Sequence, residues 1–439
     1  MSLDRLAAIH APPPIAPIKT REDLIDALGL AAEIEHAIMC QYLYAAFSLD
    51  FMAPTLSPAD SETIRGFAID LLLIARQEME HLGLVSNMLV AIGAPPNFDR
   101  PSLPLPPFYY QLELPLALLP FGEPFLALAE HLEQPCDEPP GHAPAAYYSS
   151  VAEIYERLRA GFVTLGSPGA LTAANLFLNP ASQQLDNSSF GASPGQIWYD
   201  ITLLRVKDLE TALAAIDLIR VQGEGATHPM MAANPAGRAM FAGVAADATS
   251  HYARVKAMRE TWATLSPEVR AAALRPVPAN PVSCNHGDIN PAVAVCQFRD
   301  PRAVALATLG ARAYELLLLL LSRLYGATDA TAADLAMYQS VAFFPLMTTV
   351  VRPLGEILVQ LPAGDGVHSA AFTFELDGPI RTYRDRKSFH VQLVERFAHL
   401  AEGFADLAKQ DDVPPRVAFI AKNTAYLTER MRAYAAANP

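Results

Sequence analysis

The sequence contains few cysteines, and they form no recognisable pair. Cys40, Cys136, Cys284 and Cys296 are spread over 439 residues without a Cys-x-x-Cys motif. Widely separated cysteines are typical of reduced, mostly buried thiols in a cytoplasmic protein. A zinc site formed by Cys284, His286 and Cys296 is disfavoured because a fourth ligand is missing.

Positively charged residues are also scarce. The chain has 32 lysines and arginines against 46 acidic residues, which gives a net charge of −14. Nucleic acids and anionic membranes bind proteins through clustered lysines and arginines, and we find no such cluster. The predicted partner is therefore a small-molecule substrate, with no nucleic acid and no membrane. Apolar helices near the C-terminus are compatible with a homo-oligomer.

The sequence also lacks a segment that is typical of secretion or membrane insertion. Its first residues include Asp4, Arg5 and a run of three prolines, which differs from the apolar core of a signal peptide. The leucine run at residues 316–321 lies between Arg312 and Arg323. This spacing is too short for the roughly 20 apolar residues that span a bilayer. We therefore expect a buried helix there and a cytoplasmic location.

Hydrophobic residues, in contrast, are abundant, and their spacing is mostly helical. They make up 51% of the chain, which is enough for a large core. The pattern predicts an all-α protein that contains a four-helix bundle with long loop insertions. We expect a proline-rich arm at residues 1–20, a metal-binding bundle at 21–265, a linker at 266–300 and a C-terminal helical domain at 301–439.

The most informative motif is Glu78-x-x-His81 in the long apolar helix predicted around residues 64–82. Residues three apart lie side by side on one helix face, so this carboxylate and imidazole can reach one ion together. An unpaired charge in an apolar face costs several kcal/mol, and metal coordination removes that cost. The alternative is an ordinary contact between the two residues or a hydrogen-bonded core histidine.

A metal site of this kind needs acids on other helices. Carboxylate-bridged two-metal bundles take one glutamate from each of two helices and a glutamate with a histidine from each of the other two. Glu35 shares a helical stripe with Leu28 and Tyr42, so it is the candidate in the first helix. In the third helix, Glu153 and Glu156 are both candidates.

The fourth helix ends in Gln222-Gly223-Glu224-Gly225, where the flanking glycines allow the backbone to bend near a site. Glu224 is the acidic candidate there. Two histidines could accompany it, namely His228, four residues later, and His251, which begins a new helical segment. The sequence leaves both open, although Pro229 disfavours a helix at His228.

Together these motifs resemble a known family. The segments at 35–38, 77–82, 153–155, 222–225 and 250–252 are similar to the ferritin-like domain of iminophenyl-pyruvate dimer synthases, the coupling enzymes of violacein-type and rebeccamycin-type bisindole pathways. The similarity continues at Val351-Arg352-Pro353-Leu354-Gly355-Glu356 and at Phe374-Glu375-Leu376. It covers most of residues 20–410 and corresponds to the C-terminal half of those larger enzymes.

The resemblance implies a ligand set, a cofactor and an activity. The implied metal ligands are Glu35, Glu78, His81, Glu153, Glu224 and His251. The implied cofactor is iron, in a di-iron centre, with manganese as an alternative metal. The resemblance further implies a secondary-metabolism enzyme that performs oxidative coupling or a related oxidation of an amino-acid-derived imine or enamine. A flavin amino-acid oxidase is the implied partner that supplies this substrate.

Two other functions fit the same residues. A di-iron oxygenase would hydroxylate or N-oxidise a small metabolite on the same centre. A non-catalytic metal-binding or scaffold protein would keep the bundle without turnover. Gln41, Tyr42 and Tyr155 are expected to orient ligands from outside the metal site.

Overall fold

The computed structural model describes residues 14–136, 146–170, 172–178, 183–187, 202–225, 249–283, 295–325, 328–381, 383 and 385–438. The helices of its N-terminal part are α1 (Arg21–Ser48), α2 (Pro58–Ala91), α3 (Pro107–Tyr110), α4 (Glu123–Leu132), α5 (Val151–Gly166), α6 (Leu209–Gly223), α7 (His251–Thr264) and α8 (Pro267–Ala272). The C-terminal helices are α9 (Pro301–Leu324), α10 (Ala332–Leu358), α11 (Arg386–Leu407) and α12 (Arg416–Ala437).

Strand structure is minimal in the described residues. Pro281–Val282 and Cys296–Gln297 form a parallel pair of two-residue strands, β1 and β2. A short 3-10 helix covers Ala173–Asn175. The predicted all-α class is therefore confirmed.

The two longest helices of the N-terminal part begin at side-chain caps. Thr20 accepts a hydrogen bond from the backbone N–H of Asp23, whose carboxylate in turn accepts one from the Thr20 N–H. Ser57 caps α2 through the N–H of Asp60. Such caps satisfy backbone donors that a helix start leaves unpaired. Gly93, with φ of +90°, follows the end of α2.

Four helices form the bundle. α1 packs along α2, and α5 packs along α6, while α1 also contacts α5 and α2 also contacts α6. α4 and α7 pack against each other at one end. The buried faces of α1 and α2 carry acids and histidines among apolar side chains: Glu35, His36, Glu78, Glu80 and His81 are all buried. This placement brings the predicted site to the interior of the bundle.

The C-terminal helices share the hydrophobic core of the bundle. α9 carries Tyr314, whose hydroxyl lies 2.5 Å from His36 Nε2 on α1. Arg100 donates a hydrogen bond of 2.6 Å to the Phe374 carbonyl. Two helices, Pro301–Leu324 and Ala332–Leu358, are long and apolar enough to cross a membrane, but 67% and 61% of their apolar windows are buried inside the protein. The division into domains stays a prediction.

Candidate metal centre

Glu78 lies at the middle of a buried cluster of acids and imidazoles. Its Oε2 is 3.2 Å from His81 Nδ1, and its Oε1 is 2.9 Å from His251 Nδ1. His81 reaches Glu78 because the two residues are three apart on α2. His251 reaches it from the first residue of α7. One carboxylate therefore presents a separate oxygen to each of two histidines.

Each histidine also has an acid of its own. His81 Nδ1 lies 3.4 Å from Glu35 Oε2, and His251 Nδ1 lies 3.5 Å from Glu133 Oε2. Glu35 comes from the middle of α1, whereas Glu133 is the residue that follows α4. The cluster thus consists of two similar halves, each with one glutamate and one histidine, and the Glu78 carboxylate bridges them.

The outer polar groups repeat this two-part arrangement. The Tyr155 hydroxyl donates a hydrogen bond to Glu35, and the Tyr42 hydroxyl donates one of 2.8 Å to Glu133. These two tyrosines were expected to orient ligands. Gln41, which was expected to do the same, instead donates to the Ala117 carbonyl.

Two glutamines orient the histidines. His81 Nε2 lies 3.0 Å from Gln222 Oε1, and His251 Nε2 lies 3.1 Å from Gln77 Oε1. An amide oxygen only accepts hydrogen bonds, so each Nε2 carries a proton and donates it. A neutral imidazole then has its lone pair on Nδ1, the atom that faces Glu78 in both halves. This is how outer residues usually select the metal-binding nitrogen of a histidine.

Electrostatic coupling within the cluster is strong because every member is buried. Burial and the neighbouring Glu78 raise the pKa of the Glu35 carboxyl to about 8. Burial opposes the charged form of His251, but Glu133 and Glu78 outweigh it and raise the pKa of His251 to about 9. In the same way Glu78 and Glu35 hold the pKa of His81 well above its usual value. The cluster therefore attracts positive charge.

The donor set fits a pair of divalent cations. His251 Nδ1 is buried and has no hydrogen bond of acceptable geometry. The Glu78 Oε1 atom is nevertheless only 2.9 Å away. Among the described residues, no lysine or arginine forms an ion pair with Glu35, Glu78 or Glu133. Carboxylates with imidazoles suit iron or manganese. A cavity of about 20 Å³ adjoins the cluster, and Glu35, Glu78, His81 and Glu133 all line it.

The structure brings four of the six predicted ligands together, namely Glu35, Glu78, His81 and His251. It places Glu153 elsewhere: the Glu153 carboxylate accepts hydrogen bonds from the backbone N–H and the hydroxyl of Ser149, at 2.8 and 3.1 Å. An acid in the first turn of a helix is stabilised there by unpaired N–H groups. The residue of α5 that does reach the cluster is Tyr155. Metal binding by the four residues stays a prediction.

Glu224 lies at the rim of the cavity rather than in the cluster. It lines the same cavity, but its Oε1 pairs with Arg220 Nε at 2.6 Å and its Oε2 accepts from the Cys136 N–H at 3.1 Å. Burial raises its pKa despite the nearby guanidinium. The Arg220 guanidinium already balances the negative charge of Glu224, so the burial of this acid does not require a metal ion. The alternative histidine, His228, lies outside the described residues.

Glu133 was missed by the sequence analysis. It lies in the long insertion between α2 and α5, outside the helices in which the sequence placed ligands. A signal was nevertheless present, since Glu133 continues the helical stripe of Leu126 and Ala129, and both of these are buried. An acid that continues an apolar stripe directly after a short helix is therefore as good a ligand candidate as Glu35 on α1.

The chain matches a family model and a solved structure. The model of the ferritin-like family matches residues 28–260. A crystal structure of a ferritin-like protein from Caulobacter vibrioides covers 81% of this chain and 100% of that chain, at 20% identity and a TM-score of 0.48. The family match covers most of α1, all of α2 to α6 and most of α7, so it includes all the residues of the cluster.

Two curated relatives extend the similarity beyond the bundle. Dichlorochromopyrrolate synthase of Lentzea aerocolonigenes is 28% identical over 88% of this chain and 39% of its own length. The 2-imino-3-(indol-3-yl)propanoate dimerase of Chromobacterium violaceum is 28% identical over 86% of this chain and 36% of its own length. The chain thus spans less than two-fifths of these relatives. The resemblance inferred from the motifs is confirmed.

Proposed function

This chain belongs to the ferritin-like family, and we propose that it is a non-haem di-iron oxidoreductase. The observation that carries the proposal is the position of the Glu78 carboxylate. Its Oε2 faces His81, which also neighbours Glu35, and its Oε1 faces His251, which also neighbours Glu133. Such bundles hold two adjacent ions with four glutamates and two histidines. The cluster supplies both histidines and three of the four acids, and Glu224 lines the same cavity.

The residues would divide between two ions. Glu35 and His81 would hold one, Glu133 and His251 the other, and Glu78 both. Bound iron would supply a site that accepts electrons from an organic substrate and passes them to oxygen or peroxide. The protein would keep the ligands in place through Tyr155 and Tyr42 on the acids and through Gln222 and Gln77 on the histidines.

The proposed reaction is the oxidative coupling, or a related oxidation, of an amino-acid-derived imine or enamine. The name of the Chromobacterium relative, a dimerase of an imino-indolylpropanoate, supports this substrate class. Coupling two such molecules forms one C–C bond and releases two electrons and two protons. Hydrogen peroxide would take these up to give two water molecules. An amino-acid oxidase, which produces both an imine and peroxide, is the proposed supplier, and the proposed location is the cytoplasm.

Metal loading tests the centre. Protein reconstituted with Fe(II) should bind about two ions per chain, and Glu78→Ala should reduce this to well below one, because both ions lose a ligand. Iron analysis after desalting gives the stoichiometry.

A matched pair of variants then tests whether Glu133 or Glu153 is a metal ligand. Glu133→Ala should lose about one ion, whereas Glu153→Ala should bind iron like the wild type, since Glu153 is held by Ser149. The reverse result would show that α5 supplies the ligand. Wild-type protein that retains less than half an equivalent of iron or manganese would contradict the di-iron proposal.

Product analysis in labelled oxygen distinguishes coupling from oxygenation. A dimeric product without the label supports coupling of an imine. A monomeric product that carries the label would instead identify an oxygenase on the same centre. Iron binding without turnover of any imine would favour the non-catalytic metal-binding function.

A further inference from the structure

A second cluster of metal-binding side chains lies outside the bundle, where β2 meets a turn at residues 363–369. Cys296, Asp365 and His368 each offer one ligand atom, and these atoms lie within 4.8 Å of one another. Cys296 is a half-buried cysteine without a disulfide, and its Sγ is 3.7 Å from Asp365 Oδ2. His368 Nδ1 is 2.6 Å from the same carboxylate oxygen. A thiol, a carboxylate and an imidazole therefore meet at one point.

The partners of Cys296 differ from those that the sequence suggested. Cys284 and His286 were considered with Cys296 for a zinc site, and both lie outside the described residues. Asp365 is 69 residues away from Cys296 in the chain, so only the fold reveals this contact. Three protein ligands with water in the fourth position are a common arrangement for zinc. The structure therefore supplies the ligands that the sequence lacked near Cys296.

The turn orients its own carboxylate. Asp365 Oδ1 accepts hydrogen bonds from the backbone N–H groups of Val367 and His368, at 3.0 and 2.8 Å. Because these bonds occupy Oδ1, the other oxygen is left to face Cys296 and the His368 imidazole. The position of Oδ2 is thus set by the backbone of the turn.

The same turn is attached to the segment that follows β2. The N–H groups of Arg299 and Asp300 both donate to the Ala363 carbonyl, at 2.7 and 3.2 Å. Gly364 allows this approach, because it has φ of +91° and a Cβ atom there would clash with the Asp300 backbone nitrogen. Cys296 is held by the pairing of β2 with β1. Backbone contacts therefore bring the three ligands together without a metal.

The donor set and its distances fit zinc. Zinc binds thiolate sulfur at about 2.3 Å and imidazole nitrogen or carboxylate oxygen at about 2.0 Å, usually as a tetrahedron. On one such ion the sulfur and the oxygen would be about 3.5 Å apart, and the nitrogen and the oxygen about 3.3 Å. The observed sulfur–oxygen distance of 3.7 Å is close to this value. The nitrogen–oxygen distance of 2.6 Å is that of a hydrogen bond, and it would lengthen when the ion replaces the proton.

Room for a fourth ligand is present. A cavity of about 500 Å³ adjoins the cluster, and Cys296, Asp365 and His368 all line it. This cavity opens to solvent beside half-buried side chains, since the His368 side chain is 37% exposed. A water molecule can therefore complete the coordination of an ion bound there.

The alternative role for this cluster is a cysteine nucleophile. Burial and the Asp365 carboxylate raise the pKa of the Cys296 thiol. Reactive cysteines have a lowered pKa instead. A carboxylate beside a thiol disfavours the thiolate, and a cation bound between the two removes this repulsion. The surroundings of Cys296 thus favour metal binding over nucleophilic catalysis.

We propose that Cys296, Asp365 and His368 form a binding site for Zn²⁺. The ion joins β2 to the turn at residues 363–369, with one ligand from the strand and two from the turn. No ligand of this site belongs to the bundle, and the site contains a thiolate, which the cluster around Glu78 does not. Its test is therefore independent of the di-iron proposal.

Cobalt(II) is the probe for this site. It occupies zinc sites, and it gives a near-ultraviolet charge-transfer band only where a thiolate binds it. Titration of the metal-free wild-type protein should produce this band and saturate at one thiolate-bound ion per chain. Added Zn²⁺ should then abolish the band, because it competes for the same ligands. Cobalt bound by Glu78 and its neighbours does not contribute, since no cysteine is among them.

Variants locate the thiolate and the carboxylate. Cys296→Ser should abolish the band, whereas Cys136→Ser, which changes another half-buried cysteine, should retain it. Asp365→Asn keeps an oxygen for the N–H groups of the turn but loses the charge, so it should weaken cobalt binding at least about tenfold. Far-ultraviolet circular dichroism checks that each variant is folded. Absence of the band in the wild type, its persistence in Cys296→Ser or after addition of Zn²⁺, or unchanged affinity in Asp365→Asn would each overturn the proposal.

Discussion

Two buried carboxylates of this molecule, Asp334 in the C-terminal helices and Glu78 in the bundle, differ in how the protein compensates their charge. Asp334 on α10 is fully buried and accepts hydrogen bonds from Arg386 at 2.6 and 2.9 Å, from the Tyr434 hydroxyl at 2.8 Å and from the backbone N–H of Thr331 at 2.7 Å. Its negative charge is neutralised by a guanidinium. Hydrogen bonds use its oxygens fully, so this acid has a structural role.

Glu78 has a different environment, although it is equally buried. Its neighbours within ion-pair distance are two imidazoles, and the Glu35 carboxyl lies close enough to form a hydrogen bond with it. In the metal-free cluster, protons balance the negative charge at neutral pH, because the pKa values of Glu35, His81 and His251 are all raised. The comparison shows that a buried acid indicates a cation-binding site where exchangeable protons, and not a fixed guanidinium, compensate its charge.

The largest expected effect concerns Asp334. The Asp334→Asn substitution should reduce the free energy of unfolding by about 3 kcal/mol, because it leaves the Arg386 charge without its partner in a partly buried position. Denaturant unfolding of the metal-free protein measures the change. Asp406→Asn is the control, since Asp406 pairs with Lys409 on the exposed surface, and it should be indistinguishable from the wild type. If Asp334→Asn also left the free energy of unfolding unchanged, Asp334 would not stabilise the fold and would not differ from Glu78 in this respect.

The pH dependence of stability tests the same acid. Burial alone would raise the pKa of Asp334, but the hydrogen bonds from Arg386 and Thr331 outweigh it and lower the pKa well below its usual value. A carboxyl with a lowered folded-state pKa stabilises the protein above the unfolded-state pKa of about 3.9. That stability is lost as the pH falls below this value. Asp334→Asn should therefore lose less stability than the wild type between pH 5 and pH 2.5, measured by denaturant unfolding.

The two-part symmetry of the metal cluster predicts an intermediate effect. Gln222→Ala and Gln77→Ala each remove the acceptor that orients one histidine, so each should weaken the binding of one ion by about tenfold to a hundredfold. Competition with a chelator measures the affinities. Gln41→Ala should have no effect on metal affinity, because Gln41 donates to a backbone carbonyl. Unequal effects of the first two variants would show that the two halves are not equivalent.

The smallest expected effect is the change in stability caused by Glu35→Gln. Its sign should depend on whether iron is bound. In the metal-free protein, Glu35→Gln should leave stability unchanged or raise it by up to about 1 kcal/mol, because it removes one of several buried acids that lie close together. With iron present, the same variant should be less stable than the wild type, since it lacks a ligand. Thermal unfolding with and without iron compares the two. A large loss of stability without metal would place Glu35 with Asp334 as a structural acid.

Much of the fold could be predicted from local sequence signals. The all-α class and the buried character of the leucine run at residues 316–320 both follow from short-range patterns, and the structure contains both. Glu35, Glu78 and His81 were identifiable for the same reason, because helical periodicity shows which acids share a face with apolar residues.

The rest of the candidate site depends on contacts between distant segments. Glu153 and Tyr155 are two residues apart on α5, and only the packing of that helix decides that the tyrosine faces Glu35 while the acid stays with Ser149. Glu133 comes from an insertion whose position relative to the bundle is not encoded in its own periodicity. Local spacing fixes faces but not the rotation of one helix against another.

The sequence alone determined that this chain is helical, that it buries acids and histidines on α1 and α2, and which family it resembles. Those properties follow from side-chain spacing along single helices. Only the tertiary structure decided which third acid completes the cluster, that Glu78 lies between two histidines, and that Cys296 lies beside Asp365 and His368. These features are made by side chains from distant segments, whose distances are set by how the segments pack together.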